Sequence, residues 1–282
     1  MPIRVLSGAR LVAIVCAAQV LVQIGAFFWP ALLPGMIPLW SLTNSEAGWI
    51  TAIFYAAYMV SVPFLVTLTD RIDANVRVLG RTEYEPTWRA MQAFTAARTP
   101  ATPDEIWLTE HPPVYTLGLA GRREHLLRDN GIPVIKVDRG GQITYHGPGQ
   151  LVVYLLCDLK RSRLGVRAMV RSIEAAVVEW LDSLGISAYG KPAAPGVYTM
   201  ATGVEAKIGA LGLKVRNGCT YHGVAVNIAM DLSPFADIDP CGYPGLAVTQ
   251  LADLGVARTV DTAGRELAPI LAARLSQMSC RK

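Results

Sequence analysis

The stretch Arg139–Leu156, RGGQITYHGPGQLVVYLL, passes from a glycine-rich segment into an apolar run. Its first twelve residues hold four glycines and a proline, too many for one tight turn. Glycine lets a backbone approach a ligand closely and offer it N–H groups, and here Arg139 adds a fixed cation and His146 a titratable ring. The same composition suits a long structural loop with a satisfied histidine, and the residues alone do not choose. No Gly-Lys-Ser/Thr closes the stretch, so it is not a Walker phosphate loop. Nor does a helix open behind it, as a dinucleotide fingerprint requires. Leu151–Leu156 then reads as a short buried strand.

On the N-terminal side, Glu85–Arg98 reads as a helix, with Trp88, Met91 and Phe94 spaced along it and Pro100 beyond its end. Ile106–Leu108 and Val114–Leu117 read as strands around the turn His111-Pro112-Pro113, and Val134–Val137 as another short strand. On the C-terminal side, the apolar residues of Val166–Leu184 follow the 3.6 period until Gly185 stops the helix. Lys207–Val215 and Tyr221–Ile228 read as paired strands joined at Asn217-Gly218. Glu266–Met278 closes the chain as an amphipathic helix. Short strands mixed with helices and Gly/Pro turns predict an α+β domain over 75–282.

Two further spots carry candidate chemistry. Lys207, in AKIGALG, enters an apolar strand. A lysine in apolar surroundings has a lowered pKa and can act as acid or base, although a lone lysine commonly keeps its head in water. Cys241, in DPCGY, sits between Pro and Gly in a loop where a thiol can be accessible. A nucleophilic thiolate needs a nearby cation, which Lys207 or His222 can supply. Composition does not separate Cys241 from Cys219 beside the hairpin turn. Cys157 reads as core.

The chain has 282 residues, 52% apolar and only 17% charged, with a mean hydropathy of +0.33. This excludes a disordered chain. The 26 Lys+Arg against 22 Asp+Glu leave +4, too small an excess to argue for nucleic acid. Five cysteines without a CxxC pair argue against a disulfide framework or a zinc site. The apolar excess lies at the front. No charge interrupts the run between Arg10 and Glu46, or that between Glu46 and Asp70. Each gap exceeds the roughly 20 residues that span a bilayer. The first span runs from about Leu11 into the Pro30/Pro34/Pro38 region, where prolines end it, and the second over Ala47–Thr69. The arginines flanking the pair put both ends in the cytoplasm. Residues 1–74 are therefore expected to form an α-helical transmembrane hairpin. The segment resembles the first two transmembrane helices of a major facilitator superfamily transporter, on the residues GWITAIFYAAYMVSVPFLVTLTDRID, with Asp70-Arg71 at the cytoplasmic turn after the second helix. Ten further helices would be needed for transport, and none follows.

From about Val78 to Gly255 the chain resembles the lipoyl(octanoyl) transferases, which pass octanoyl groups from acyl carrier protein to lipoyl-carrier proteins. The pieces YEPTWRAMQAFTAAR, EHPPVYTLG, RGGQITYHGPGQLVVYLL, PGVYT, KIGALGLKV, TYHGVAVNIAMDLSPF and DPCGY occur in order. The resemblance implies the catalytic fold of the biotin/lipoate protein ligases and no cofactor. It places the acyl-thioester nucleophile at Cys241 and its acid/base partner at Lys207. It assigns substrate binding to Arg139, Gly140, Gly141, Gln142, Ile143, Thr144, Tyr145 and His146, to Ala210, Leu211 and Gly212, and to Gly223, Val224 and Ala225. Octanoyl-acyl carrier protein is the implied donor. The implied acceptors are the lipoyl-carrier domains of 2-oxoacid dehydrogenases and the glycine cleavage H protein. Arg122, Arg123 and Arg128, or Arg161, Arg163 and Arg167, are candidates for steering an acidic carrier. The family has no membrane part, so residues 1–74 depart from its pattern, as a fused anchor or as an artefact of the gene model. An ATP-dependent lipoate or biotin ligase shares the implied fold but uses no cysteine nucleophile. A non-catalytic, membrane-anchored acyl-binding module is the other alternative.

Overall fold

The computed structural model describes residues 32–69, 74–162 and 165–280. The chain divides into two compact units, Met1–Arg71 and Ile72–Lys282. In the first, residues 32–39 are helical, through Pro34 and Pro38, and the part of the predicted first span before residue 32 lies outside the described residues. This helix ends at residue 39, directly after Pro38, where Ser41 adopts φ 51° and the Leu42 N–H reaches back to the Ile37 carbonyl. Helix α1 (Asn44–Thr69) opens on a capping box. The Thr43 N–H and hydroxyl both donate to Glu46 Oε2 at 2.8 Å, and the Glu46 N–H donates back to Thr43 Oγ1 at 3.3 Å.

The transmembrane hairpin expected over 1–74 is not supported. Most of its first span lies outside the described residues. The second span is helical, within α1, but among the described residues no helix is long and apolar enough to cross a membrane.

The second unit is built on a seven-stranded sheet of order β1-β2-β6-β10-β9-β8-β7. Its strands are β1 (Asn75–Arg81), β2 (Glu105–Glu110), β6 (Gln150–Leu156), β7 (Ala188–Gly190), β8 (Gly196–Ala201), β9 (Val204–Arg216) and β10 (Cys219–Asn227). β1 joins β2 in parallel, and every other neighbouring pair is antiparallel. A second sheet, β4-β3-β5, consists of β3 (Val114–Leu117), β4 (Val134–Lys136) and β5 (Ile143–His146).

Hydrophobic periodicity assigns the layers. Helix α3 (Val166–Ser183) buries Met169, Ile173, Ala176, Val177, Trp180 and Leu181, one stripe at helical spacing, and Gly185 at φ 79° follows its end. Helix α4 (Val260–Cys280) buries Ala263, Leu267, Leu271 and Leu275. Both stripes pack against Leu151, Val153, Leu155, Val224 and Val226 on one face of the large sheet. The other face meets helix α2 (Tyr84–Ala97), whose Met91 packs with Trp107, Val152, Tyr154, Tyr221 and Ala225. Successive residues of β6 and β10 thus serve opposite layers. The β9–β10 hairpin turns at Asn217 (φ 55°) and Gly218 (φ 83°), the two left-handed residues a type I′ turn requires.

Candidate active site

The site lies on the α2 side of the large sheet. β9 and β10 pair Ala210 with Ala225 and Gly212 with Gly223, so four residues with little or no side chain adjoin across two central strands. They leave a trough in the sheet. At Gly223 nothing larger fits, because a Cβ would stand 2.0 Å from the Val153 carbonyl oxygen. The segment Arg139–Gln142 roofs the trough: the Gly140 N–H donates to the Leu213 carbonyl at 2.9 Å. Between floor and roof is a narrow cavity, lined also by Tyr84, Tyr154, Thr144, His146 and His222.

The polar lining is organised by a directed hydrogen-bond chain. The Gln150 amide nitrogen donates to Asn227 Oδ1 (2.9 Å) and to the Tyr145 carbonyl (3.2 Å), which leaves its Oε1 to accept from His146 Nδ1 at 2.7 Å. His146 Nε2 is then an acceptor for the Thr116 hydroxyl at 3.3 Å. Thr116 Oγ1 in turn accepts from Arg139 Nε and Nη2, at 3.2 and 2.8 Å. Burial, and His111 nearby, push His146 down to about 3, so the ring is neutral. His111 is neutral too. Its Nδ1 donates to the Thr82 carbonyl and its Nε2 accepts from the Tyr154 hydroxyl at 2.7 Å, and burial lowers it to about 4 against the Thr82 bond. Tyr84 stacks on His146 with centroids 5.7 Å apart.

Asp138 gathers a second network beside the cavity. Its carboxylate accepts from Trp88 Nε1 (2.9 Å), Gln92 Nε2 (3.2 Å), His222 Nε2 (3.0 Å) and the Tyr221 hydroxyl. Burial raises its pKa, but the donated bonds outweigh burial and hold the carboxyl well below the usual range.

Lys207 is 4% exposed and lies at the other end of the trough. A bulge in the β8–β9 pairing sets Tyr198 against Lys207 and Val197 against Gly209, which turns Lys207 away from the helix-covered core that holds Ile208. Its ammonium donates to the Pro195 carbonyl at 3.3 Å and sits 5.1 Å over the Tyr198 ring. Glycine suits position 196 beneath it, because φ is 150° there and a Cβ would stand 3.0 Å from the Gly209 carbonyl oxygen as well as against the Lys207 stem. A second, wider cavity opens at Lys207 and Tyr243 and shares Gly141, Gln142, Leu211 and Gly212 with the first. The Lys207 backbone is also bound to the segment that follows Cys241. The Lys207 N–H donates to the Ala247 carbonyl (2.8 Å), and the Thr249 N–H to the Lys207 carbonyl (3.0 Å). Cys241 itself lies in the 3₁₀ turn Pro240–Gly242, which packs on β5, with Gly242 against Gln142.

A known catalytic domain, the lipoyl protein ligase A/B catalytic domain, matches residues 83–269. The chain belongs to this family. Among curated relatives, the octanoyltransferase of Dechloromonas aromatica (strain RCB) is 57% identical over 202 residues, 72% of this chain and 97% of the relative. That of Laribacter hongkongensis (strain HLHK9) is 58% identical over 203 residues, 72% of this chain and 96% of the relative. Among solved structures, a bi-partite lipoate protein ligase from Thermoplasma acidophilum shares the fold, with a TM-score of 0.59 at 18% identity, over 72% of this chain and 84% of that one. The matches lend no support to the transporter-like reading of residues 1–74.

Within this ligase-type fold, most of the predicted binding residues converge on the trough: Arg139, Gly141, Gln142, Thr144, His146, Ala210, Leu211, Gly212, Gly223, Val224 and Ala225 line the first cavity. Gly140 lines the adjoining one. Ile143 and Tyr145 do not face it. They alternate to the other side of β5, into a core with Tyr115, Leu117, Met230 and Phe235. Of the steering arginines, Arg128 is paired with Asp237, Arg161 with Asp104 and Arg122 with Glu124, and Arg163 lies outside the described residues. Cys157 and Cys219 are buried, and burial raises both thiols. Sequence reasoning missed Tyr84, Tyr154 and Asp138. Among the described residues, no group of His, Cys, Asp or Glu is placed to hold a metal ion.

Proposed function

We propose that this chain moves an octanoyl group from octanoyl-acyl carrier protein to a lysine of a lipoyl-carrier domain, through a thioester on Cys241. The observation that carries the proposal is the buried Lys207, bound through its backbone to the segment after Cys241 and opening into an apolar trough. The relatives named octanoyltransferase support the reaction class. The Cys241 thiolate attacks the thioester carbonyl, the carrier's thiol leaves, and an octanoyl-enzyme remains. Lys207 takes the thiol proton, returns it to the leaving group, and later deprotonates the incoming amine. Two easier steps replace one hard one. The C8 chain lies over Gly212 and Gly223, where only Gly and Ala side chains interrupt the floor. The Lys207 and Gly140 N–H groups are bound to the Ala247 and Leu213 carbonyls, so the donors assigned to the tetrahedral oxyanion are the N–H groups of Ile208 and Gly141. The acceptors are lipoyl-carrier domains of 2-oxoacid dehydrogenases and of the glycine cleavage H protein.

The discriminating experiment offers the protein two donors. Octanoyl-acyl carrier protein without ATP should acylate a lipoyl domain, and free octanoate with ATP should not. The reverse outcome would make the chain a ligase, and acylation from neither donor would reduce it to a binding module.

A further inference from the structure

One acidic side chain is buried with the apolar stripe of α3. Val166, Val170 and Glu174 follow at i, i+4 and i+8, and the first two line the cavity at Lys207. Glu174 is 8% exposed, and carboxylates are seldom buried without partners. Its Oε1 accepts the Gly196 N–H at 2.8 Å. Its Oε2 stands against β7, where a Cβ on Gly190 would lie 3.0 Å away. The carboxylate is thus held between the backbones of β7 and β8, on the sheet face that α3 covers.

The peptide group that Glu174 binds is also the one that Lys207 binds. The Pro195 carbonyl and the Gly196 N–H belong to a single trans peptide, so they point in opposite directions. One end donates to Glu174, and the other accepts from Lys207 Nζ at 3.3 Å. Chains of hydrogen bonds polarise one another, so a carboxylate at the N–H makes the carbonyl a stronger acceptor for the ammonium. With one peptide group between these bonds, the two charges stand within about 8.5 Å of each other. Opposite charges at that range favour the ammonium. Burial raises the Glu174 carboxyl, while the Gly196 bond, Lys207 and Arg171 on the same helix pull it down. Lys207 also faces the Tyr198 ring, over which Lys191, itself paired with Glu205, is placed as well.

We infer that Glu174 is a positioning residue for acyl transfer: through the Pro195–Gly196 peptide it holds the Lys207 amine at the cavity and makes it a stronger base. This rests on the reading that Lys207 is the acid/base partner of Cys241. When the acceptor amine attacks the octanoyl thioester, the C–N bond forms and the C–S bond breaks. Lys207 carries the amine proton to the departing sulfur. Between those two transfers it is an ammonium, and the buried carboxylate stabilises it there. A staple between α3 and β8 would need only the Gly196 bond, which Glu174→Gln keeps while it deletes the charge.

The experiment isolates the second half of the reaction. Octanoyl-enzyme is formed first by incubation with octanoyl-acyl carrier protein, so the Cys241 thiol no longer titrates. Transfer to a lipoyl domain is then followed in a single turnover from about pH 6 to 10, for the native protein, Glu174→Gln and Glu174→Asp. The acceptor's own titration is common to all three, so a displacement between their profiles belongs to Lys207. Unit charges about 8.5 Å apart, at an effective dielectric constant of about 20, change a pKa by on the order of one. The Lys207 limb of Glu174→Gln should therefore lie about one pH unit below the native limb, with a plateau about threefold lower because the base is weaker. Glu174→Asp keeps the charge one methylene further back and should fall between the two. A limb that stays in place in Glu174→Gln, or moves equally far in Glu174→Asp, overturns the inference and leaves the parent reading intact. Should Glu174→Gln not fold, Glu174→Asp decides: a limb displaced to lower pH supports the inference, and one coincident with native overturns it. A native protein that forms no octanoyl-enzyme, or whose profile follows the acceptor's titration alone, overturns the parent reading as well.

Discussion

Gly223→Ala should cost far more than its single methyl suggests. The added Cβ would lie 2.0 Å from the Val153 carbonyl oxygen, 3.1 Å from its carbon and 3.3 Å from Tyr154 Cα. Ordinary carbon–oxygen contact is about 3.3 Å, so the shortfall is about 1.3 Å. All three atoms belong to the β6 backbone, and β6 is paired to β10 through Gly223↔Tyr154 and Val224↔Val153. No rotamer relieves the clash, so the two central strands must part. Losing two ladder hydrogen bonds and leaving their groups poorly paired amounts to about 3–5 kcal/mol. For a unit of this size that lowers Tm by about 10 °C. Gly209→Ala is the control on the partner strand, since its Cβ would meet Val197 Cβ at an ordinary 3.4 Å. Relief of the glycine's backbone entropy, worth about 0.5–1 kcal/mol, should leave that variant within about 1 kcal/mol of native. Guanidinium denaturation followed by circular dichroism measures both. Equal stability of the two variants would refute the argument that backbone proximity, rather than chain flexibility, demands glycine at 223.

Lys207→Met should lower transfer by at least about 100-fold and slow iodoacetamide alkylation of Cys241 at neutral pH, whereas Lys214→Met, seven residues along β9, should change little. Equal rates in the two would remove Lys207 from the mechanism. Acid should weaken the fold early. His111 and His146 titrate near 6.5 when unfolded but at about 4 and about 3 when folded, so below 6.5 the unfolded chain binds more protons. Stability is then flat above about pH 7 and falls by about 1.4 kcal/mol per unit for each ring on acidification. Denaturation midpoints constant from pH 7 to 5 would contradict neutral buried rings. Removing residues 1–71, a separate compact unit, should leave kcat/KM for octanoyl transfer within about twofold of the full chain, because the family match begins at residue 83. A large loss would assign that unit a part in catalysis.

The helices and the hairpin strands of the second unit were legible because their burial follows a plain period. The set Met169, Ile173, Val177 and Trp180 is one stripe, and Asn217-Gly218 is a turn by its residue types. β5 was not legible. It is four residues long and flanked by glycines, so Ile143–His146 read as part of a loop. Its alternation of Ile143 and Tyr145 with Thr144 and His146 was the available signal. That signal separates core from cavity, which the family motif, taken as one block, does not. The bulge at Lys207 and the left-handed His222 have no local signature, since tertiary pairing imposes both. Tyr84, Asp138 and Tyr154 were missed because long-range packing, rather than neighbours in sequence, makes them part of the site. The charge gaps of residues 10–70 matched a bilayer in length alone, a measure that says nothing of what covers a helix.

The measurement that bears most directly on the central claim is the intact mass of the protein after brief mixing with octanoyl-acyl carrier protein and no acceptor. One octanoyl group should be gained, removed by hydroxylamine, located on the peptide containing Cys241, and absent from Cys241→Ala while Cys219→Ala still forms it. An adduct that persists in Cys241→Ala, or native protein that transfers octanoyl groups yet never carries one, would contradict the thioester mechanism.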